Sequence, residues 1–108
     1  MPQTPPFHSL VPRKMSDQEL ARAVRLEIES ELDAVNLYEA HIEATDNEDA
    51  QKVLAYVAAE EKEHAAIFLA LLARLDPDQA EELSGGERKL ELILRGAPKD
   101  EIESAELT

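Results

Sequence analysis

The chain has 108 residues, enough for one domain with a modest core, and it carries 24 Asp plus Glu against 11 Lys plus Arg, a formal net charge of -13. That balance argues against nucleic acid and anionic membrane surfaces as partners and favours cations. The absence of cysteine excludes thiolate zinc, iron–sulfur and disulfide chemistry, leaving carboxylate and imidazole as the strong metal ligands.

Residues 1–15 hold four of the six prolines and show no hydrophobic period, so they read as a flexible Pro-rich arm. The arm lacks the apolar core of a secretory signal. No run elsewhere approaches the roughly 20 apolar residues that span a bilayer, so no membrane is expected as a partner and the cytoplasm is the expected location. Ser16, followed by Glu19, matches a capping box and opens a helix predicted from Asp17 to Ala44. Its seam, in steps of three and four, is Ala21, Val24, Ile28, Glu31, Val35, Tyr38 and Ile42, which places a carboxylate among apolar positions.

Thr45–Asp49 has the composition of a short connection, with Asp46 or Asn47 as cap of a second helix predicted from Glu48 to Leu75. The seam read for this helix is Leu54, Val57, Glu61, His64, Phe68, Leu71 and Leu75. Asp76 and Pro77 end it and open a short third helix, Asp78–Leu83, which Ser84, Gly85 and Gly86 are expected to stop. A fourth short helix is predicted over Glu87–Leu94, broken by Gly96, Ala97 and Pro98. The expected organisation is an arm (1–15), a helical domain (16–95) and an acidic tail (96–108), and the fold class is all-α: an antiparallel two-helix hairpin with short C-terminal helices.

Glu61 and His64 are three residues apart and share a helix face. Glu31 precedes Asp46 by as many residues as Glu61 follows it, so in an antiparallel hairpin both stand roughly 22 Å from the turn, at ~1.5 Å per residue. Glu31, Glu61 and His64 should therefore converge. An unpaired buried charge costs about 3–5 kcal/mol, and neither seam holds a Lys or Arg; Lys62 points roughly 100° away. A bound cation resolves the conflict. Two carboxylates and one imidazole suit iron or manganese better than structural zinc. One chain supplies half of a carboxylate-bridged dimetal bundle, which predicts a homodimer with the site on its two-fold axis and Glu31 or Glu61 bridging the metals.

The stretches Glu31-Leu32-Asp33-Ala34-Val35-Asn36-Leu37-Tyr38 and Glu60-Glu61-Lys62-Glu63-His64-Ala65-Ala66 resemble those of the encapsulated ferritins, two-helix members of the ferritin-like superfamily. The resemblance covers about residues 17–86. It implies a four-helix ferritin-like bundle on dimerisation, in which Glu31, Glu61 and His64 form a di-iron ferroxidase centre that oxidises Fe(II) with dioxygen, serving iron storage and detoxification. Manganese and zinc are the substitute metals. Tyr38 matches the family's tyrosine near the metals, and Asp33, Glu60 and Glu63 match acidic positions of auxiliary metal sites. The resemblance also implies association of dimers into a decameric ring and an encapsulin shell as partner, with the protein inside that nanocompartment.

Leu37, Ser30 and Tyr56 depart from the family pattern, which has tryptophan, glutamate and histidine there. Docking peptides in the family have a Gly-Ser-Leu-like core, which Glu103–Thr108 lacks. Two other functions fit the same residues. A non-enzymatic helical dimerisation module would use the polar seam to fix register, and would be indifferent to chelators. A dimanganese or rubrerythrin-like peroxide scavenger would turn over peroxide instead of dioxygen. His8 and His41 read as structural or exposed.

Overall fold

The computed structural model describes residues 13–105 and is helical throughout its regular structure. Helix α1 spans Asp17–Glu43, α2 Glu48–Leu75, α3 Pro77–Leu94 and α4 Lys99–Glu103. The Pro-rich arm up to residue 12 and His8 within it lie outside the described residues.

The start of α1 is built as the capping box predicts. Ser16 Oγ accepts the Glu19 N–H at 3.1 Å, and the Glu19 carboxylate accepts the Ser16 N–H at 3.1 Å, so two groups left free by helix geometry are satisfied reciprocally. Arg13 closes on the same carboxylate with two bonds, of 3.0 and 2.6 Å. At the hairpin, Asn47 is the residue that caps α2, its Oδ1 accepting the Ala50 N–H at 3.0 Å. Gln51 Nε2 donates to the Thr45 carbonyl at 2.7 Å and ties the turn to the helix it starts.

Asp76 serves both sides of the next corner. Its backbone N–H caps the end of α2, while its side chain accepts the Gln79 N–H at 3.2 Å and Pro77 takes the first turn of α3. Arg25 from α1 pairs with Asp76 and donates to Gln79 Oε1 at 3.4 Å, fixing this corner against the hairpin.

The C-terminal region differs from expectation. Ser84, Gly85 and Gly86 do not stop a helix: the two predicted short helices are one, α3, running unbroken from Pro77 to Leu94. Glycine inside a helix costs roughly 1 kcal/mol relative to alanine but removes no hydrogen bond, unlike proline, and here it is outweighed by the capped start and a buried Gly85. The break falls at Gly96, whose φ of 76° only glycine adopts without strain. Lys99–Glu103, within the acidic tail, forms a single further turn behind Pro98.

The core is narrow. Ala21, Val24 and Leu72 are buried, with Leu20, Ile28, Phe68 and Leu75 packed against them. The radius of gyration is 19.2 Å, against about 13 Å for a compact domain of this length. The chain exposes 8650 Å², where a compact monomer of its mass exposes about 6,000 Å². The hairpin leaves Leu26, Leu32, Leu37, Val53, Tyr56 and Ile67 exposed.

Replacing Ser16 with Ala should lower stability by about 1 kcal/mol, measured by thermal melting. The side-chain bonds from Arg13, then the Ser16 N–H, lower the Glu19 pKa from 4.5 to about 2. A carboxylate whose pKa is depressed on folding stabilises fully above its unfolded value, so this contribution should persist above pH 4.5 and fade as pH falls toward 2, and Glu19→Gln should flatten that part of the stability–pH curve.

Candidate metal centre

Helix α1 carries its seam as the spacing predicts. Ala21, Val24 and Val35 are buried, and Ile28, Glu31, Tyr38 and Ile42 are half-buried along the same line. Helix α2 is rotated relative to its predicted seam. The residues it buries are Ala58, Ala65 and Leu72, so its contact line runs Leu54, Ala58, Glu61, Ala65, Phe68, Leu72, Leu75. His64 and Leu71 are therefore not core positions: the His64 side chain is 47 % exposed and Leu71 41 %. Alanine carries little weight in a hydrophobic period, yet it permits the closest approach of two helices, and the alanines take the contact. One residue's step, roughly 100°, turns His64 onto the edge of the groove.

The equal spacing about the turn does bring the acidic positions level. Glu31 from α1 meets Glu61 and His64 from α2. His64 Nδ1 is 3.5 Å from Glu31 Oε2 and 3.6 Å from Glu61 Oε2, and one donor atom from each residue lies within 4.8 Å of the others. Two ligands at about 2.1 Å from one ion stand roughly 3.0–3.4 Å apart, so the three donors are spaced as a first set of ligands is, slightly open. The two carboxylate side chains are only 18 % and 19 % exposed. Glu31 Oε2 is buried and accepts no hydrogen bond. Lys62 is turned to the opposite flank, where its ammonium is 3.4 Å from Glu39, and it does not neutralise the pair.

A cleft of about 240 Å³ opens over the cluster, lined by Glu31, His64, Ile67 and Phe68. Ile67 carries no seam signal, but it lies three residues after His64 and so stands beside it on the open edge. Val53, Tyr56, Ile67 and Leu71, all exposed, continue that edge along α2 as an apolar border to the polar cluster. Tyr38 is half-buried on the Glu31 line, two turns further on. Asp33, Glu60, Glu63 and His41 are exposed, and among the described residues none joins a group of three possible ligands.

Known proteins share this arrangement of sequence and fold. The sequence model of the EncFtn-like family matches residues 11–86. The chain is 61 % identical over 104 residues to the encapsulin nanocompartment cargo protein EncC of Myxococcus xanthus, covering 96 % of this chain and 80 % of that protein. It is 49 % identical over 69 residues to the ferritin-like–encapsulin shell fusion protein of Pyrococcus furiosus, covering 64 % of this chain and 20 % of the fusion. The crystal structure of the encapsulated ferritin domain from Pyrococcus furiosus superimposes with a TM-score of 0.69 at 42 % identity, over 85 % of this chain and 94 % of that one. The all-α hairpin with two acidic seams, the family match and the structural likeness together establish that this chain is an encapsulated ferritin, a member of the EncFtn-like family.

Proposed function

We propose that the protein is a ferroxidase: two hairpins pack through the open edge of the Glu31, Glu61 and His64 cluster, and Fe(II) bound between them is oxidised by dioxygen. The observation that carries this reading is the orphaned, buried Oε2 of Glu31. A buried acceptor without a partner costs about 1–3 kcal/mol, and two carboxylates facing one another without a cation add repulsion. Fe(II) takes both carboxylates and the neutral imidazole, and a second hairpin related by a two-fold axis supplies a second set of the same three ligands. The apolar border formed by Val53, Tyr56, Ile67 and Leu71 supports a partner helix pair at this edge, where it would exclude water from the cluster.

In this scheme Glu31 and Glu61 offset the metal charge in both oxidation states, and His64 adds a nitrogen ligand whose half-exposed ring can move with it. Tyr38 stands on the Glu31 line two turns further on, and we place its hydroxyl toward the metal site of the paired hairpins. Two Fe(II) give one electron each to one dioxygen, which takes up two protons and leaves as hydrogen peroxide, and the two Fe(III) leave the site. A dimer or ring of hairpins encloses no store, so the ferric product requires a compartment. The relative from Myxococcus is named as cargo of an encapsulin nanocompartment. We assign this chain the same place, as a decameric ring within an encapsulin shell. Asp33, Glu60 and Glu63 form the acidic surface that draws Fe(II) toward the cluster.

Stopped-flow absorbance of metal-free protein mixed aerobically with Fe(II) tests the assignment. The ferric signal should rise faster than in buffer and saturate near two Fe(II) per dimer. Glu31→Ala, Glu61→Ala and His64→Ala should each fall to the buffer rate; unchanged rates in all three would make the cluster structural. The initial rate should also fall as ionic strength rises from about 0.01 to 0.15 M and the Debye length shrinks from about 30 to 8 Å. In metal-free protein, Glu31→Leu should raise the melting temperature by a few degrees, since roughly 1 kcal/mol is worth about 4–8 °C at this size, while abolishing the further rise that Fe(II) under argon gives the parent protein.

A further inference from the structure

Helix α2 changes character as it passes the metal cluster. Glu60 and Glu63 precede His64 on the side of the hairpin turn and are exposed, whereas Ile67 and Phe68 follow it, roughly 5 Å further along the axis. The cleft of about 240 Å³ lies on this second side. Glu31 and His64 are its polar lining, and Ile67 and Phe68 are its apolar lining. Phe68 packs against the core of Ala21, Val24 and Leu72 and is fixed by it, while Ile67 stands 58 % exposed. Two other clefts have charged walls, one lined by Arg22, Arg25 and Asp78 and one by Glu48 and Lys52. Neither touches the cluster.

We infer that this cleft is the way dioxygen reaches the cluster and that Ile67 sets how readily it enters, an inference that rests on the ferroxidase reading. The two substrates of that reaction differ as the two approaches do. Fe(II) is a hydrated cation: apolar walls offer it nothing in place of water, whereas the carboxylates of Glu60 and Glu63 attract it. Dioxygen is uncharged and apolar, so it loses almost nothing on leaving water and gains contact with the walls. The space suffices. A diatomic gas is close in size to a water molecule, which occupies roughly 30 Å³ of liquid, and the cleft holds about 240 Å³. A second hairpin resting on the apolar border narrows the mouth at Ile67, which bars a hydrated ion but admits a gas. The two substrates then approach the same three ligands from opposite sides, and neither has to displace the other.

Xenon, an apolar gas that occupies dry apolar cavities, probes the cleft in the metal-free full chain without any chemistry. With the isoleucine methyl groups isotope-labelled for NMR, xenon under pressure should move the Ile67 resonance along a saturating curve and leave Ile93 unmoved, although Ile93 is 56 % exposed. Equal shifts at the two residues would overturn the assignment. The second readout is the initial rate of iron oxidation against dissolved oxygen at fixed Fe(II). Ile67→Trp, which fills the cleft, should raise the oxygen concentration that gives half the maximal rate by about tenfold, with the parent rate regained at saturating oxygen. Ile67→Ala should lower that concentration. The rise in melting temperature that Fe(II) gives under argon should be the same in both variants as in the parent protein. Half-saturation unchanged in both variants, or an Ile67→Trp defect that saturating oxygen does not relieve, would sink the route. A parent protein that takes up xenon at Ile67 but oxidises no iron would refute the ferroxidase reading and leave the gas site standing.

Discussion

Two carboxylates facing each other in a groove between helices, with no Lys or Arg among them, set the terms for the rest of this structure. Glu31 and Glu61 are each about four-fifths withdrawn from water, and one Glu31 oxygen accepts no hydrogen bond. An apolar hairpin would be more stable without them. Their positions are held by features that do no chemistry: the Ser16 capping box starts α1, Asn47 and Gln51 fix the turn, and the Arg25–Asp76 contact anchors the far corner. The turn contacts and the Arg25–Asp76 contact set the axial register of α1 against α2, and a slip of one residue would separate the two carboxylates.

The hairpin is also too thin to satisfy itself. Its buried residues are mostly alanine and valine, while Leu26, Leu37, Tyr56, Ile67 and Leu71 remain exposed. Extents of 57 × 46 × 17 Å describe a layer one helix thick. Apolar area of this kind is stabilised by covering it, and the Glu31, Glu61 and His64 cluster lies at the rim of one uncovered edge. In the proposed function self-association and metal binding are physically coupled, because the edge that lacks a packing partner is the edge at which a second copy would bring its own ligands. The likeness to the encapsulated ferritin domain of Pyrococcus furiosus extends over nearly all of that chain, so the thinness belongs to the fold and not to this sequence alone.

Much of this was legible in the chain itself. Helix α1 and its seam, the capping residues, the hairpin turn and the convergence of Glu31, Glu61 and His64 follow from short-range rules, because a helix repeats every 3.6 residues and a turn of known place fixes which positions come level. The α2 seam was legible only within one residue. Leu71 and His64 carried the stronger periodic signal, but Ala58 and Ala65 took the contact, since the distance between helices is decided by the smallest side chains facing the partner. The continuity of α3 was hidden for a related reason: a Ser-Gly-Gly sequence weakens a helix locally by an amount that tertiary packing can outweigh.

The sequence by itself determined the helical class, the hairpin and the identity of the three converging residues, all consequences of covalent order and helical period. Only the tertiary structure decided that His64 stands at an open edge, that Glu31 lacks a hydrogen-bond partner, that Lys62 pairs with Glu39 on the opposite flank, and that α3 is one helix with an uncovered face. These depend on the rotation of each helix about its own axis, which is set by the packing of side chains distant in sequence and by no local rule.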